Sequence, residues 1–176
     1  MIVTNEIDYA QSGLSLQLAN LEHFNRFPDK TSRPDHILWN GIRVKGADRW
    51  DVSQRGRVRI ELLSAKSGEE HGVDLKIEDG WVELLNGDKI PLLRTWVDPR
   101  YDNVVDYPYF TKTGRICVWI VFKRHYKNGR VIEEKWTGNS GFWVEQEGKN
   151  QRLYHCSHGM APTPDFNAFT FRVTVL

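Results

Sequence analysis

Cysteine is scarce in this sequence of 176 residues, because only Cys117 and Cys156 are present. Two cysteines are too few for the disulfide framework of a small secreted domain. The N-terminal stretch MIVTNEIDYAQSG has no basic region followed by an apolar one, so we expect no secretory signal. We therefore predict a cytoplasmic protein in which both thiols are reduced and each behaves as a small hydrophobic group.

Long hydrophobic runs are also missing, since no apolar stretch approaches the roughly 20 residues that a membrane-spanning helix needs. We expect no contact with a membrane. Hydrophobic residues make up 40% of the chain and charged residues 27%, as in ordinary globular domains. The length suffices for one well-buried core and is short for two, so residues 1–176 are expected to form a single domain.

Common enzyme motifs are absent, because the sequence contains no Walker loop, no G-x-G-x-x-G and no G-x-S-x-G. Pro34-Asp35 followed by Asp74-Leu75-Lys76 matches a pattern of metal-dependent nucleases, in which carboxylates hold a divalent ion and a lysine assists the attacking water. The spacing is wide, and so short a pattern often arises by chance. A metal-dependent hydrolase or nuclease is kept as an alternative, while we expect a protein that is not an enzyme.

The stretch RLYHCSHGM, residues 152–160, places two histidines around one of the cysteines. On a strand, alternation puts His155 and Cys156 on opposite faces, so these two cannot share a metal ion. Cys156 and His158 would supply two ligands where zinc takes three or four, and residues two apart on a strand rarely form a nucleophile and base pair. We expect no cofactor, no metal and no catalytic residue here, with Cys156 and His158 as the second route to the hydrolase alternative.

Turn signals dominate the rest of the chain. Asx-Gly pairs favour two-residue hairpin loops, because both central residues need a positive φ. Four such pairs separate short apolar or alternating runs: Asn40-Gly41, Asp79-Gly80, Asn86-Gly87 and Asn128-Gly129. Strands are predicted at 36–39, 42–45, 57–64, 73–78, 81–85, 90–96, 115–126, 131–136, 142–146, 152–157 and 169–176. The pattern predicts a mainly β protein, a single-domain antiparallel sandwich or partly closed barrel.

Two strands and one helix can be placed further. The strand from Arg115 is apolar on both faces near its start, which indicates a central strand, and a two-residue loop at Asn128-Gly129 would pair Arg124 with Glu133 and Lys123 with Glu134. Pro91 indicates that residues 90–96 lie at a sheet edge or that the strand begins there. One N-terminal helix is predicted, capped by Ser12, from the helical spacing of Leu14, Leu18, Leu21 and Phe24.

Aromatic residues are abundant, and tryptophan has a flat apolar face that stacks on a base or a sugar ring. We assign Trp119, Trp136 and Trp143 to the core because of their strand positions. Residues 95–110, TWVDPRYDNVVDYPYF, are predicted to form a long functional loop. In it, carboxylates beside rings suit a pocket for a nucleobase. The ligand-binding residues predicted there are Trp96, Asp98, Tyr101 and Tyr107.

Charge is unevenly distributed although the net charge is only +1. Basic residues cluster at 43–59 and 123–130, and lysine and arginine neutralise phosphates. The residues predicted to contact a nucleic-acid backbone are Arg43, Arg49, Arg55, Arg57, Lys123, Arg124 and Lys127. We therefore predict a non-catalytic recognition module that binds DNA or RNA through basic hairpins and reads a base in the pocket. A small-molecule or carbohydrate-binding β-domain is the first alternative.

Overall fold

The computed structural model describes residues 6–176, and the chain is mainly β, as predicted. No helix within these residues is long and apolar enough to cross a bilayer. In chain order the elements are α1 (Leu16–Arg26), β1 (Ile37–Trp39), β2 (Ile42–Val44), β3 (Asp48–Asp51), β4 (Arg55–Ala65), β5 (His71–Ile77), β6 (Gly80–Glu83), β7 (Lys89–Ile90), β8 (Leu92–Trp96), β9 (Val104–Thr111), β10 (Arg115–His125), β11 (Val131–Glu134), β12 (Gly141–Gly148), β13 (Gln151–Ser157) and β14 (Phe169–Val175).

The antiparallel sheets pack as a sandwich, and none closes into a barrel. The larger sheet has the strand order β12-β13-β14-β4-β9-β6-β7, and the second has the order β11-β10-β5-β8 with β3 also paired to β10. A separate hairpin is formed by β1 and β2. Of the two predicted architectures, the sandwich is therefore confirmed.

Alternation along the strands builds the main core. On β14, Phe169 and Phe171 are fully buried while Arg172 lies outside, since successive side chains leave a strand on opposite faces. β10 is the central strand that the sequence predicted, because it pairs with β5, β11 and β3 and buries both of its faces. Ile120 belongs to the core between the sheets, and Trp119 on the opposite face is only 6% exposed.

The tips of two hairpins differ although both contain Asn-Gly. Asn40 and Gly41 have φ angles of 50° and 75° and form the predicted two-residue loop. At the second tip, Tyr126 N–H bonds the Arg130 carbonyl and Gly129 has φ 86°, which makes a three-residue loop. This extra residue shifts the register by one position.

The predicted pairing of β10 with β11 is therefore wrong by one residue. Lys123 lies opposite Glu133, and Phe122 lies opposite Glu134. Arg124 still reaches Glu134 diagonally, with 2.9 Å between Nε and Oε2. Opposite charges at adjacent positions satisfied either register, so charge pairing did not discriminate between them.

Residues 95–110 do not form the long loop that we predicted. Their second half is β9, a strand inside the larger sheet, and only residues 97–103 connect it to β8. Side chains alternate between the two faces along Val104–Thr111, which pairs with β4, so its apolar side chains pack against the core. The edge prediction for residues 90–96 is confirmed, because β8 is the outermost strand on one side of the second sheet and begins just after Pro91.

Helix α1 exists as predicted, but Ser15 rather than Ser12 caps it by accepting the Leu18 N–H. The buried side consists of Leu16, Ala19 and His23, which belong to or border a second, smaller core with the β1–β2 hairpin. Three of the residues whose spacing indicated the helix are exposed on its opposite side: Leu18, Leu21 and Phe24. The amphipathic pattern therefore located the helix without identifying the face that packs.

The start of α1 is fastened to the loop between β11 and β12. Asn139 Oδ1 accepts the Leu16 N–H at 3.1 Å, and the Gly138 carbonyl accepts the Gln17 N–H at 3.0 Å. Because a helix leaves its first N–H groups without intrahelical partners, these bonds fix both the start and the orientation of the helix. The unpacked side of α1 is thereby held facing a groove.

Candidate functional site

A groove of about 650 Å³ lies between α1, residues 28–36 and the turn that joins β2 to β3. Its size falls in the range typical of sites for small organic ligands. Its walls mix exposed aromatic rings with cationic groups. The lining residues used below are Leu21, Phe24, Lys30, Arg33, Asp35, Arg49, Trp136 and Ser140.

The helix wall of the groove is apolar. Leu21 is 50% exposed and Phe24 is 45% exposed, because α1 packs through its opposite side. The Arg33 guanidinium lies 4.5 Å from the Phe24 ring centroid, and Arg33 Nε donates to the Phe27 carbonyl at 2.7 Å. The arginine is thus positioned by a ring and a carbonyl and keeps its charge available.

Trp136 forms the facing edge of the groove, although the sequence assigned it to the core. It follows β11 with φ 60°, is 44% exposed, and donates from Nε1 to the Gly46 carbonyl at 2.8 Å. The Lys135 ammonium lies 4.5 Å from its ring centroid. The strand pattern was misleading because the chain reverses at this residue. Trp119 is in the core as predicted, whereas Trp143 is half-buried and stacked on His155 at 3.9 Å.

The groove carries excess positive charge. Within residues 6–176, neither Lys30 nor Arg49 lies within 4.0 Å of a carboxylate oxygen. Asp35, the one carboxylate among the described residues that line the groove, is bound by Lys45 at 2.9 Å. Burial raises the pKa of Asp35, but the hydrogen bonds from His36 and Lys45 outweigh burial and hold its pKa below the usual value. Asp35 therefore stays ionised, and the Lys45 ammonium group neutralises its charge.

Ser140 lines this groove, but its side-chain oxygen is buried. The residue is 5% exposed, and its Oγ makes no hydrogen bond to the described part of the chain. Buried polar atoms are nearly always hydrogen-bonded, and one without a partner is costly. A ligand in the groove does not reach this Oγ unless neighbouring side chains move.

The residues predicted for the pocket lie in two parts of the structure. Trp96 ends β8 under the Lys123 ammonium, 4.8 Å from the ring centroid, and Tyr101 is 69% exposed. Asp98 is bound by Arg100, whose hydrogen bonds lower its pKa to about 2. Tyr107 lies on β9 in the other sheet and packs against the main core. Trp96, Asp98 and Tyr101 are neighbours along the chain, and Tyr107 is apart from them.

The predicted backbone contacts are distributed over several surfaces. Only Arg49 lines the groove. Arg43 is exposed on β2, and Arg55 and Arg57 are on β4, on the outer face of the larger sheet. Lys123 and Arg124 lie on β10, and Lys127 lies in the β10–β11 loop. Three of these charges are already paired, Arg57 with Asp106, Lys123 with Glu70 and Arg124 with Glu134.

The sequence analysis missed Phe24, Lys30, Arg33, Trp136 and Ser140 as a group. Their separation in the chain concealed them, because the groove joins α1 to residues more than a hundred positions later. The available signal was an apolar helix stripe followed closely by Lys30 and Arg33. That stripe reads equally well as a core face, which is the commoner meaning.

The features that suggested chemistry serve structural roles. Cys156 has no exposed surface, and burial raises its pKa well above the ordinary value. His158 uses both ring nitrogens on backbone groups, the Glu70 carbonyl and the Met160 N–H. Asp74 is bound at both oxygens by Arg94. Among residues 6–176, no three His, Cys, Asp or Glu side chains are arranged to hold a metal ion.

Comparison with family models, curated proteins and solved structures found no match to this chain.

Proposed function

We propose that this protein is a non-catalytic recognition domain whose groove binds a nucleotide unit, a planar ring carrying phosphate. One observation carries the proposal. The cations Lys30 and Arg49, which have no carboxylate partner in the described chain, share a groove with the exposed rings of Phe24 and Trp136.

Each part of the groove matches one part of such a ligand. Phosphate is bound by lysine and arginine, and arginine does so with two parallel hydrogen bonds. Bases stack on aromatic side chains, with roughly 1–3 kcal/mol per base. Phe24 and Trp136 both line the groove and have exposed surface that can contact a base. The excess positive charge favours an anion over a neutral sugar.

The same chemistry has two sources, a free nucleotide or an unpaired stretch of DNA or RNA. Equilibrium binding distinguishes them if labelled mononucleotides and labelled single-stranded oligonucleotides are titrated in parallel. An oligonucleotide preference with a steep salt dependence indicates a strand, since each phosphate contact releases counterions. A mononucleotide bound as tightly as the oligonucleotide indicates a free ligand.

The decisive variant is Lys30→Gln with Arg49→Gln, for which we expect at least about tenfold weaker binding of the labelled mononucleotide and a smaller salt dependence. Lys66→Gln with Lys149→Gln removes equal charge at exposed positions outside the groove and is the matched control. Equal losses in the two double variants would reduce the effect to net charge and contradict the proposal. So would tight, salt-insensitive binding of a neutral oligosaccharide.

Ring stacking is tested separately with Phe24→Ala. Leu18→Ala on the same exposed side of α1 is its control, because Leu18 lies outside the groove lining. We expect the first substitution alone to weaken binding, by about 1–3 kcal/mol.

A further inference from the structure

A cationic corner lies on the outer face of the larger sheet, away from the core between the sheets. Three successive outward positions of β4 are arginine: Arg55, Arg57 and Arg59. Outward side chains repeat every second residue, so these guanidinium groups form a row along one strand. Lys89 of β7 extends the corner across β9 and β6.

Aromatic rings contact the cations at the two ends of this corner. The Phe110 and Trp81 rings lie 4.9 Å apart on neighbouring strands. The Arg55 guanidinium lies 4.6 Å from the Phe110 centroid, and the Lys89 ammonium lies 4.9 Å from the Trp81 centroid. A cation held on a ring keeps its charge for an external anion, whereas a carboxylate partner would neutralise it.

Carboxylates neutralise only part of the corner. Arg57 and Arg59 share one partner, Asp106, at 2.9 and 3.2 Å. Both arginines remain about half exposed, at 53% and 47%. Glu83 lies opposite Lys89 in the β6–β7 pair. Four cations thus face two carboxylates, Asp106 and Glu83, which leaves excess positive charge at this corner.

We infer that this corner is a binding surface for single-stranded nucleic acid, with the β4 arginines along the sugar-phosphate backbone and Phe110 and Trp81 beneath the bases. A row of arginines fits a chain of regularly repeated phosphates, and the guanidinium fork matches phosphate geometry better than an ammonium group does. Single-strand binding surfaces combine such a cationic track with stacking rings. The inference is independent of the groove, because the two surfaces share no residue.

Other polyanions fit less well. A duplex hides its bases in a stack, and among residues 6–176 no helix lies on this face to enter a duplex groove. An acidic polysaccharide would use the cations but has no planar base to stack on the rings. The rings therefore favour an unpaired strand, and substituting a ring residue distinguishes a nucleic acid from an acidic polysaccharide.

The test uses fluorescence anisotropy of a labelled oligothymidylate with the full chain, between about 50 and 200 mM salt. The variant Arg55→Gln, Arg57→Gln, Arg59→Gln is expected to bind at least about tenfold more weakly, with a salt slope smaller by about 2. Lys66→Gln, Lys76→Gln, Lys149→Gln removes the same charge from exposed positions elsewhere and should bind as the wild type does. Thermal unfolding confirms that both triple variants are folded.

Three results would overturn the inference. The first is no oligothymidylate binding at the lowest salt, and the second is an equal loss of binding in the two triple variants. The third is heparin binding that is as tight as oligothymidylate binding and is not changed by Trp81→Leu. The groove variant Lys30→Gln with Arg49→Gln separates this surface from the proposed function. Mononucleotide binding should depend on the groove substitutions and not on the β4 arginines, so either site can fail alone.

Discussion

Arg94 binds both carboxylate oxygens of Asp74, through Nε at 2.7 Å and Nη2 at 2.8 Å. Asp74 has no exposed surface, whereas the Arg94 side chain is 35% exposed and also contacts Glu133. The hydrogen bonds to Asp74 are the main cause that raises the pKa of Arg94. The pair joins β5 to β8, so the buried carboxylate of Asp74 on β5 binds the edge strand β8 through Arg94.

Arg94→Met should strongly destabilise the fold, because it leaves the Asp74 carboxylate buried without its partner. Breaking a buried pair in this way typically costs about 3–5 kcal/mol, which urea unfolding measures directly. Arg100→Met, at the exposed pair with Asp98, is the control and should have little effect. The double variant Asp74→Leu, Arg94→Met should be more stable than Arg94→Met alone, and an equally unstable double variant would contradict this account.

The helix has two sides of very different importance for stability. Leu16→Ala removes a fully buried side chain from the smaller core and should cost about 2–5 kcal/mol. Leu21→Ala, on the exposed side, should change stability by less than about 0.5 kcal/mol. Chemical denaturation of the two variants compares the same substitution on one helix. Similar losses would mean that the groove side of α1 is packed in solution.

His158 should make the protein sensitive to acid. Burial is the main cause that lowers its pKa, and its Nδ1 accepts the Met160 N–H, so adding a proton there would break a hydrogen bond. Burial and His158 also lower the pKa of neighbouring His71, although the Glu69 carboxylate 3.0 Å from Nε2 acts in the opposite direction.

Because the folded pKa is depressed, the unfolded chain binds more protons below the ordinary histidine pKa of about 6.5. Stability is therefore fully present above that pH and declines as the pH falls, by up to about 1.4 kcal/mol per pH unit for one histidine. His158→Gln should reduce this decline between about pH 6.5 and 4.5. Unfolding free energies of the variant and the wild type measured across this range give the comparison, and parallel slopes in the two proteins would disprove the assignment.

The two thiols should differ in reactivity. Cys117 is half-buried and lies in register between Arg49 and Lys76 of the adjacent strands. Burial raises its pKa, although the charges of Arg49 and Lys76 act against burial. Cys156 has no exposed surface. We expect dithionitrobenzoate to modify Cys117 slowly in the folded protein and Cys156 only after unfolding.

Cys117→Ser is the control for this assignment, and it should release almost no chromophore until denaturant is added. Rapid labelling of folded Cys117→Ser would mean that Cys156 is accessible, contrary to its position in the core. The result also tests the structural role that we assign to the histidine- and cysteine-rich stretch at residues 152–160.

Much of the sheet structure was predictable because strand formation depends on local patterns. Alternation and Asx-Gly pairs located most of the strands, and the doubly apolar run from Arg115 identified β10 as central. Register was less predictable. The sequence Asn-Gly permits both a two-residue loop and a three-residue loop with Gly129 at positive φ, and that choice moves every cross-strand pair.

The candidate site was hardly predictable. Of the residues predicted for binding, Arg49 alone lines the groove, because its other members come from α1 and from the turn at Trp136. Local sequence contains no information on which distant segments meet. The loop predicted at residues 95–110 is shortened by β9, whose pairing with β4 is a long-range interaction.

The sequence by itself determined the mainly β class, the helix and the hairpin positions, because these follow from side-chain periodicity and turn stereochemistry. Only the tertiary structure decided which side of α1 is buried, that Trp136 leaves the core, and which cations keep unneutralised charge. Those outcomes depend on contacts between remote segments, such as Asn139 with the start of α1 and Asp106 with Arg57. A periodic stripe shows that a helix has an apolar side, but only its neighbours determine whether that side meets the core or a ligand.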